Sequence, residues 1–142
     1  MTPKEYLSQY GRIERNIRRM EEEKEHCRQR ALRITPNYEP TISGTGGASD
    51  RVGQAVEKMA RWEEKIVAEI DRLCDLREEI EMAIGAVPDP VHRELLERRY
   101  IQLQSLERIA VEMNYSYERV RHLHGYALAK VIVPEKATHH DT

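Results

Sequence analysis

Apolar side chains recur in the first quarter of the chain at alternating steps of three and four residues. A helix start precedes them, because Thr2 can cap a helix, Pro3 suits its first position and Glu5 completes a capping box. This spacing predicts a long helix over residues 2–34 with a heptad face of the coiled-coil type. The members of this face are Tyr6, Tyr10, Ile13, Ile17, Met20, Cys27, Ala31 and Ile34, with one polar gap at Lys24.

A second helix with similar spacing follows a break. Residues 35–48 hold two Pro and three Gly, which predicts a flexible connection, and they lack the Gly-Lys-Ser/Thr of a phosphate loop. Ser49 is the expected cap of a helix over residues 50–84. Its predicted apolar stripe is Val52, Val56, Met59, Ile66, Ile70, Leu73, Ile80, Ile84 and Val87, interrupted at Glu63 and Arg77.

The two stripes predict that these helices pair with each other. An isolated helix in water needs a packed face, and each stripe offers one to the other. Residues 1–34 carry nine Lys and Arg against six Asp and Glu, whereas residues 50–84 carry six against ten. Opposite charge favours this pair over pairing of like helices. We therefore expect an antiparallel helical hairpin over residues 1–87; the sequence leaves open a homodimer formed through it.

Three shorter helices are predicted after the "GAVPDP" break, over residues 90–102, 105–113 and 116–133. Asp89 and Ser105 are caps of the first two, Asn114 suits a left-handed corner, and Ser116 caps the last helix. Two short helices, a corner and a capped third helix predict a helix-turn-helix domain over residues 88–133, followed by a tail at 134–142. The expected inner positions are Leu95, Leu96, Tyr100, Leu106, Ile109, Ala110, Met113, Val120, Leu123, Ala127, Leu128 and Val131.

Polar side chains at the start of the last helix are candidates for contact with DNA, because recognition helices reach bases from their first turns. Arg121 could donate two hydrogen bonds to guanine, and Glu118 could accept one from cytosine. With seven Lys and Arg against six Asp and Glu, residues 89–133 also fit a merely solvated surface. The candidates are Tyr117, Glu118, Arg119, Arg121, His122 and His124, with Arg98, Arg99 and Arg108 on the preceding helices.

Composition narrows the function classes. The chain has 142 residues, of which 34% are charged, and a net charge of −2, so any contact with nucleic acid must be local. It has neither an apolar run of membrane-spanning length nor an apolar leader, so a cytoplasmic protein without membrane contact is expected. Cys27 and Cys74 would lie about 22 Å apart along the hairpin, which favours small core residues over a shared disulfide or metal. No nucleophile–base set is apparent, and we expect no enzyme activity, metal or cofactor.

The stretch "SLERIAVEMNYSYERVRHLHGYALAKV", residues 105–131, resembles the fourth conserved region of bacterial sigma factors, which binds the −35 promoter element. The shared features are the "IA" of its first helix, a corner ending in Ser, the "ERVR" start and the "AL" two turns later. The resemblance implies that Glu118, Arg121 and His122 face the major groove. Tyr117 stands where sigma factors often carry Arg, so another base preference is expected.

The whole chain also resembles short phage and prophage proteins of Gram-positive bacteria near the late transcription regulators of the ArpU/RinA type. This resemblance implies a small transcriptional regulator that binds double-stranded DNA, with RNA polymerase as a further partner. The other sigma regions are lacking, so the chain is not a complete sigma factor. Two alternatives stay open: a DNA-packaging protein like a terminase small subunit, and a helical adaptor that binds only protein.

Overall fold

A computed structural model of the protein describes residues 1–34 and 47–135, and within these ranges the regular structure is helical throughout. Most of the connection expected at residues 35–48 and of the tail expected at 134–142 lies outside the described residues. Gly47 and Ala48 already belong to the second helix. The elements are α1 (Pro3–Ile34), α2 (Gly47–Gly85), α3 (Pro90–Leu96), a π-helical turn (Glu97–Ile101), α4 (Leu106–Met113) and α5 (Tyr117–Ala129).

The helix caps expected at Thr2 and Asp89 form at the starts of α1 and α3. In the capping box of α1, the Thr2 hydroxyl accepts from the Glu5 N–H at 3.1 Å and the Glu5 carboxylate accepts from the Thr2 N–H at 3.2 Å. Asp89 Oδ1 accepts from the Val91 N–H at 2.8 Å at the start of α3. These bonds satisfy backbone donors that a helix leaves without a partner, and so they fix where each helix begins.

The helices α1 and α2 run antiparallel. Contacts between the two helices join Tyr6 to Glu79, Asn16 to Glu69 and Lys24 to Glu63. As the residue number rises along α1, the number of the partner residue on α2 falls. The described helices include none that is long and apolar enough to cross a membrane. The all-α hairpin predicted from the sequence is therefore confirmed.

The chain divides into two compact units, Met1–Ile13 with Leu73–Thr142, and Glu14–Arg72. In the first unit, the start of α1 and the end of α2 share one core with α3, the π-helical turn and the end of α5. The cluster has members on both sides of the expected domain boundary at residue 88. It consists of Tyr6, Leu7, Tyr10, Ile80, Ile84, Val87, Leu96, Tyr100, Ile101, Ala127 and Val131.

The second unit consists of the remaining parts of α1 and α2. Ile17 and Met20 on α1 and Ala55 and Ile66 on α2 are buried, while Cys27 is half-buried. The α1 stripe predicted from the sequence is thus confirmed as far as Met20. Polar contacts accompany the apolar ones: Asn16 Nδ2 donates to Glu69 Oε2 at 3.3 Å, and Lys24 forms an ion pair with Glu63.

The stripe predicted for α2 is wrong at two positions. Val56 is 54% exposed and Ile70 is 40% exposed. The buried or half-buried positions instead follow an unbroken heptad that includes polar Glu69. This happens because α2 carries two apolar stripes one residue apart, and only the stripe with regular spacing keeps facing one partner. That heptad runs through Ala55, Met59, Trp62, Ile66, Glu69, Leu73, Leu76 and Ile80.

Three further expectations need correction. The helix expected to continue from α3 winds as a π-helix from Glu97, and Leu103 after it has a positive φ of 57°. The last helix ends at Ala129 instead of residue 133. Cys74 is exposed and not a core residue, since it falls outside the regular heptad of α2.

Candidate nucleic-acid interface

Three polar residues cap α4 and α5 and form the corner between these helices. Ser105 Oγ accepts from the Arg108 N–H, and Ser116 Oγ accepts from the Arg119 N–H, each at 3.1 Å. Asn114 ends α4 in the left-handed conformation, with φ 59° and ψ 39°. Asn114 and Ser116 fix the direction in which α5 leaves α4, and all three features were expected from the sequence.

A small core of its own holds this pair of helices. Leu95 of α3, Ile109 and Ala110 of α4 and Val120 of α5 are buried together. Half-buried side chains that pack against this core are Leu106, Met113, Tyr115 and Leu123.

The opposite side of α5 is exposed. Glu118, Arg121 and His122 lie on one face, because at 100° per residue they fall within about 100° of one another around the axis. Tyr117, which is 45% exposed, lies beside this face. His122 Nε2 is 4.0 Å from Glu118 Oε1. The structure thus brings together the side chains expected to meet base edges.

Arg119 lies on the other flank of α5. Its guanidinium is 4.0 Å from the centre of the Tyr115 ring, a cation–π contact. Tyr115 in turn packs against the small core of α3, α4 and α5. The positive charge of Arg119 is therefore held near the corner, where it can meet phosphate.

His124, a candidate for contact with DNA by its position in the sequence, does not belong to the exposed face. It is half-buried, its ring stacks on Tyr100, and its Nε2 is 2.7 Å from the Tyr100 hydroxyl. Burial, with the nearby charges of Arg99 and Lys4, lowers the pKa of His124. The position follows from helical spacing, since His124 comes one turn after the buried Val120.

The arginines before α5 have structural partners. Arg98 is paired with Glu94 and with Glu112, so it links α3 and its π-helical turn to α4. Arg99 is half-buried and donates to the Gln104 carbonyl at 3.0 Å, which holds the connection before α4.

Arg108 is the most exposed of the three. Its side chain is 67% exposed and pairs with Glu112 at 3.1 Å. This bond, with smaller effects of Gln104 and Arg98, lowers the pKa of Glu112. Arg108 can exchange this surface pair for a phosphate at little cost, because exposed ion pairs contribute little free energy.

Gly125 and Tyr126 of α5 are also exposed, although they were not among the residues predicted to contact DNA. Gly125 lies on the same face as Glu118 and His122, and a Cβ added there would meet no other atom within 4 Å. Tyr126 beside it is 64% exposed. Helical spacing in the sequence indicates the position of Gly125, because steps of four and three residues from Glu118 lead to His122 and Gly125 on one face.

Residues 89–131 match the family model of sigma-70, region 4. The region-4-like domain, as we call these residues, contains the helix-turn-helix described above, which is a DNA-binding fold. The resemblance to sigma region 4 is thereby confirmed for this part of the chain. No curated protein and no solved structure matches the chain.

The domain carries a nearly balanced charge, with seven Lys and Arg against six Asp and Glu. Its electrostatic attraction to DNA is consequently weak for a DNA-binding domain. Across the described parts of the chain, no group of three or more His, Cys, Asp or Glu side chains is arranged to hold a metal ion.

Proposed function

We propose that this protein is a transcriptional regulator that binds specific sequences in double-stranded DNA. The observation that carries the proposal is the exposed face of α5 within a domain that matches sigma region 4. In the family of helix-turn-helix proteins the second helix of the motif enters the major groove. Here that helix is α5, and its first turns hold side chains able to discriminate between bases.

The proposed contacts divide into two groups. Arg121 donates to guanine and Glu118 accepts from cytosine, so these two side chains select sequence. Charged side chains around them bind phosphate and supply general affinity. The full proposed contact set is Tyr117, Glu118, Arg119, Arg121, His122, Arg99 and Arg108.

The whole-chain resemblance supports a phage or prophage origin and a role in transcription, with RNA polymerase as a protein partner.

A second copy of the chain is the further partner that we propose. Val56, Val67 and Ile70 are between 40% and 54% exposed, and they lie on one side of α2 at steps of eleven and three residues. Exposed apolar side chains at coiled-coil spacing favour self-association.

Self-association also separates regulation from packaging. We expect a dimer by sedimentation equilibrium, and Val67→Lys should shift it toward monomer. Arg72→Lys, an exposed change on the same helix, serves as the control. A ring of many subunits would instead favour the DNA-packaging alternative.

Selection of bound sequences from random duplexes, followed by titration of the selected duplex, tests the main proposal. We expect Arg121→Ala to lose about 1–3 kcal/mol of binding free energy on the selected site and to relax preference at one base pair. Arg108→Ala should weaken binding to all sequences alike. It should also make the slope of log K against log salt shallower by about 0.9, the contribution of one phosphate contact.

Arg72→Ala removes an exposed arginine far along the sequence from α5 and is the matched control. Arg99→Ala is a less clear test, because it also removes the bond to the Gln104 carbonyl. Unchanged binding by a folded Arg121→Ala variant would place the base-contacting surface elsewhere. Failure of the parent protein to bind any duplex at low salt would favour the protein-binding adaptor.

A further inference from the structure

A basic groove lies between α1 and α2 in the unit Glu14–Arg72. It has a volume of about 730 Å³ and adjoins a second depression of about 220 Å³. Among the described residues that line the two, Glu23 is the sole carboxylate. We call this surface the basic groove; its cationic members are Arg30, Arg33, Arg51, Lys58, Arg61 and Lys65.

The cations of the groove differ from other cations on the same two helices. Arg28 pairs with Glu25, Lys24 with Glu63 and Arg72 with Glu69.

By contrast, no ion pair with a described carboxylate is formed by Arg30, Arg51, Lys58 or Arg61. Lys65 lies 4.8 Å from the centre of the half-buried Trp62 ring, a contact that leaves its charge unneutralised. The groove therefore concentrates positive charge on a chain whose net charge is −2.

The shape of the groove fits an extended anion. Arg51 and Lys65 are separated by about 21 Å along the axis of α2, since each residue adds about 1.5 Å. The basic residues between them recur on one side of the helix. Duplex DNA rises about 3.4 Å per base pair, so this row matches about six base pairs. A single phosphate group would meet only two or three of these side chains.

We propose that the basic groove binds the sugar–phosphate backbone of double-stranded DNA, as a second contact surface besides α5. The proposal rests on the proposed function only in taking duplex DNA as the ligand. The nearly balanced charge of the region-4-like domain leaves little electrostatic affinity to that domain itself, and the groove supplies it. Tight protein–protein interfaces depend on a few large side chains buried in pockets, and among the described residues of this lining Trp62 is the one large apolar side chain.

The test compares two double variants with the same change in net charge. Arg30→Gln with Arg61→Gln removes two cations of the groove, whereas Arg28→Gln with Arg72→Gln removes two paired cations outside it. Binding of the selected duplex and of an unrelated duplex is measured by fluorescence anisotropy at several salt concentrations. Circular dichroism establishes that each variant is folded.

For the groove variant we expect weaker binding of both duplexes by the same factor. The slope of log K against log salt should become shallower by about two, because each lost phosphate contact accounts for about 0.9. Between about 50 and about 200 mM salt, the parent should then lose about tenfold more affinity than the groove variant. The control variant should follow the parent.

Other results would overturn the inference. If the groove and control variants bind both duplexes alike, the groove does not contact DNA, whatever Arg121→Ala does. If they bind DNA alike but only the groove variant loses binding to a labelled poly-glutamate peptide, the ligand is an acidic protein. If the parent protein binds no duplex, the proposed function itself is refuted. The titration of the parent shows this result separately from the comparison of the variants.

Discussion

The heptad of α2 is tested most directly by two isoleucines that lie one turn apart. Ile66 is 4% exposed, while Ile70, which the sequence pattern placed in the same stripe, is 40% exposed. Substitution by alanine makes the same chemical change at each position and gains the same small helix propensity. The pair therefore isolates burial as the variable.

Burial sets the expected magnitudes. Removing three carbons from a buried isoleucine loses about 2.4 kcal/mol of transfer free energy, to which a cavity adds. Alanine recovers about 0.4 kcal/mol of helix propensity. We expect Ile66→Ala to lower the free energy of unfolding by about 2–4 kcal/mol. Ile70→Ala, with about three-fifths of that burial, should lower it by about 1 kcal/mol or less.

Urea unfolding followed by tryptophan fluorescence measures both variants in the same part of the molecule. Trp62 is the single tryptophan of the chain and lies one turn before Ile66. Each titration is repeated at a tenfold lower protein concentration, because a loss at Ile70 that depends on concentration would arise from self-association. Equal losses at the two positions, independent of concentration, would refute the assignment of the heptad.

Three further predictions concern the region-4-like domain. Asn114→Ala should lower stability by about 1 kcal/mol, because alanine fits the left-handed corner poorly, while Asn114→Gly should stay near the parent in thermal unfolding. Gly125→Ala should raise stability by about 0.5–1 kcal/mol, since the added Cβ meets no atom; weaker DNA binding by this more stable variant would indicate close approach of DNA there. Because burial lowers the pKa of His124, its folded form favours the neutral ring, so stability should be complete above about pH 6.5 and fall below it. Urea unfolding of His124→Gln should show a smaller fall, and a parent-like pH profile would contradict this.

Local signals in the sequence predicted most of the helix boundaries. Thr2, Asp89, Ser105 and Ser116 all cap helices as expected, because capping depends on a side chain and backbone two or three residues away. The left-handed Asn114 followed from its residue type. The exposed face of α5 could be outlined for the same reason, since helical spacing alone separates it from the buried side.

Long-range packing set the limits of prediction. The residue types of α2 alone could not show which of its two apolar stripes is buried, because burial depends on the side chains of α1 that pack against it. Glu69 occupies a position of the regular heptad, where its carboxylate accepts from Asn16 of α1. The π-helical turn and the burial of His124 against Tyr100 likewise depend on elements distant in sequence. The basic groove was missed because its members come from two helices and alternate with acidic residues along each.

The seven-residue period of α2 also limits how proteins of this kind can change in length. An insertion of one or two residues within α2 would rotate everything after it by about 100° or 200° and turn the apolar edge away from α1. Seven residues added to α2, with seven added opposite them to α1, would preserve every existing pairing. Related chains should therefore differ in helix length by matched multiples of seven, and the partners Asn16–Glu69 and Lys24–Glu63 mark the register from which such changes are counted.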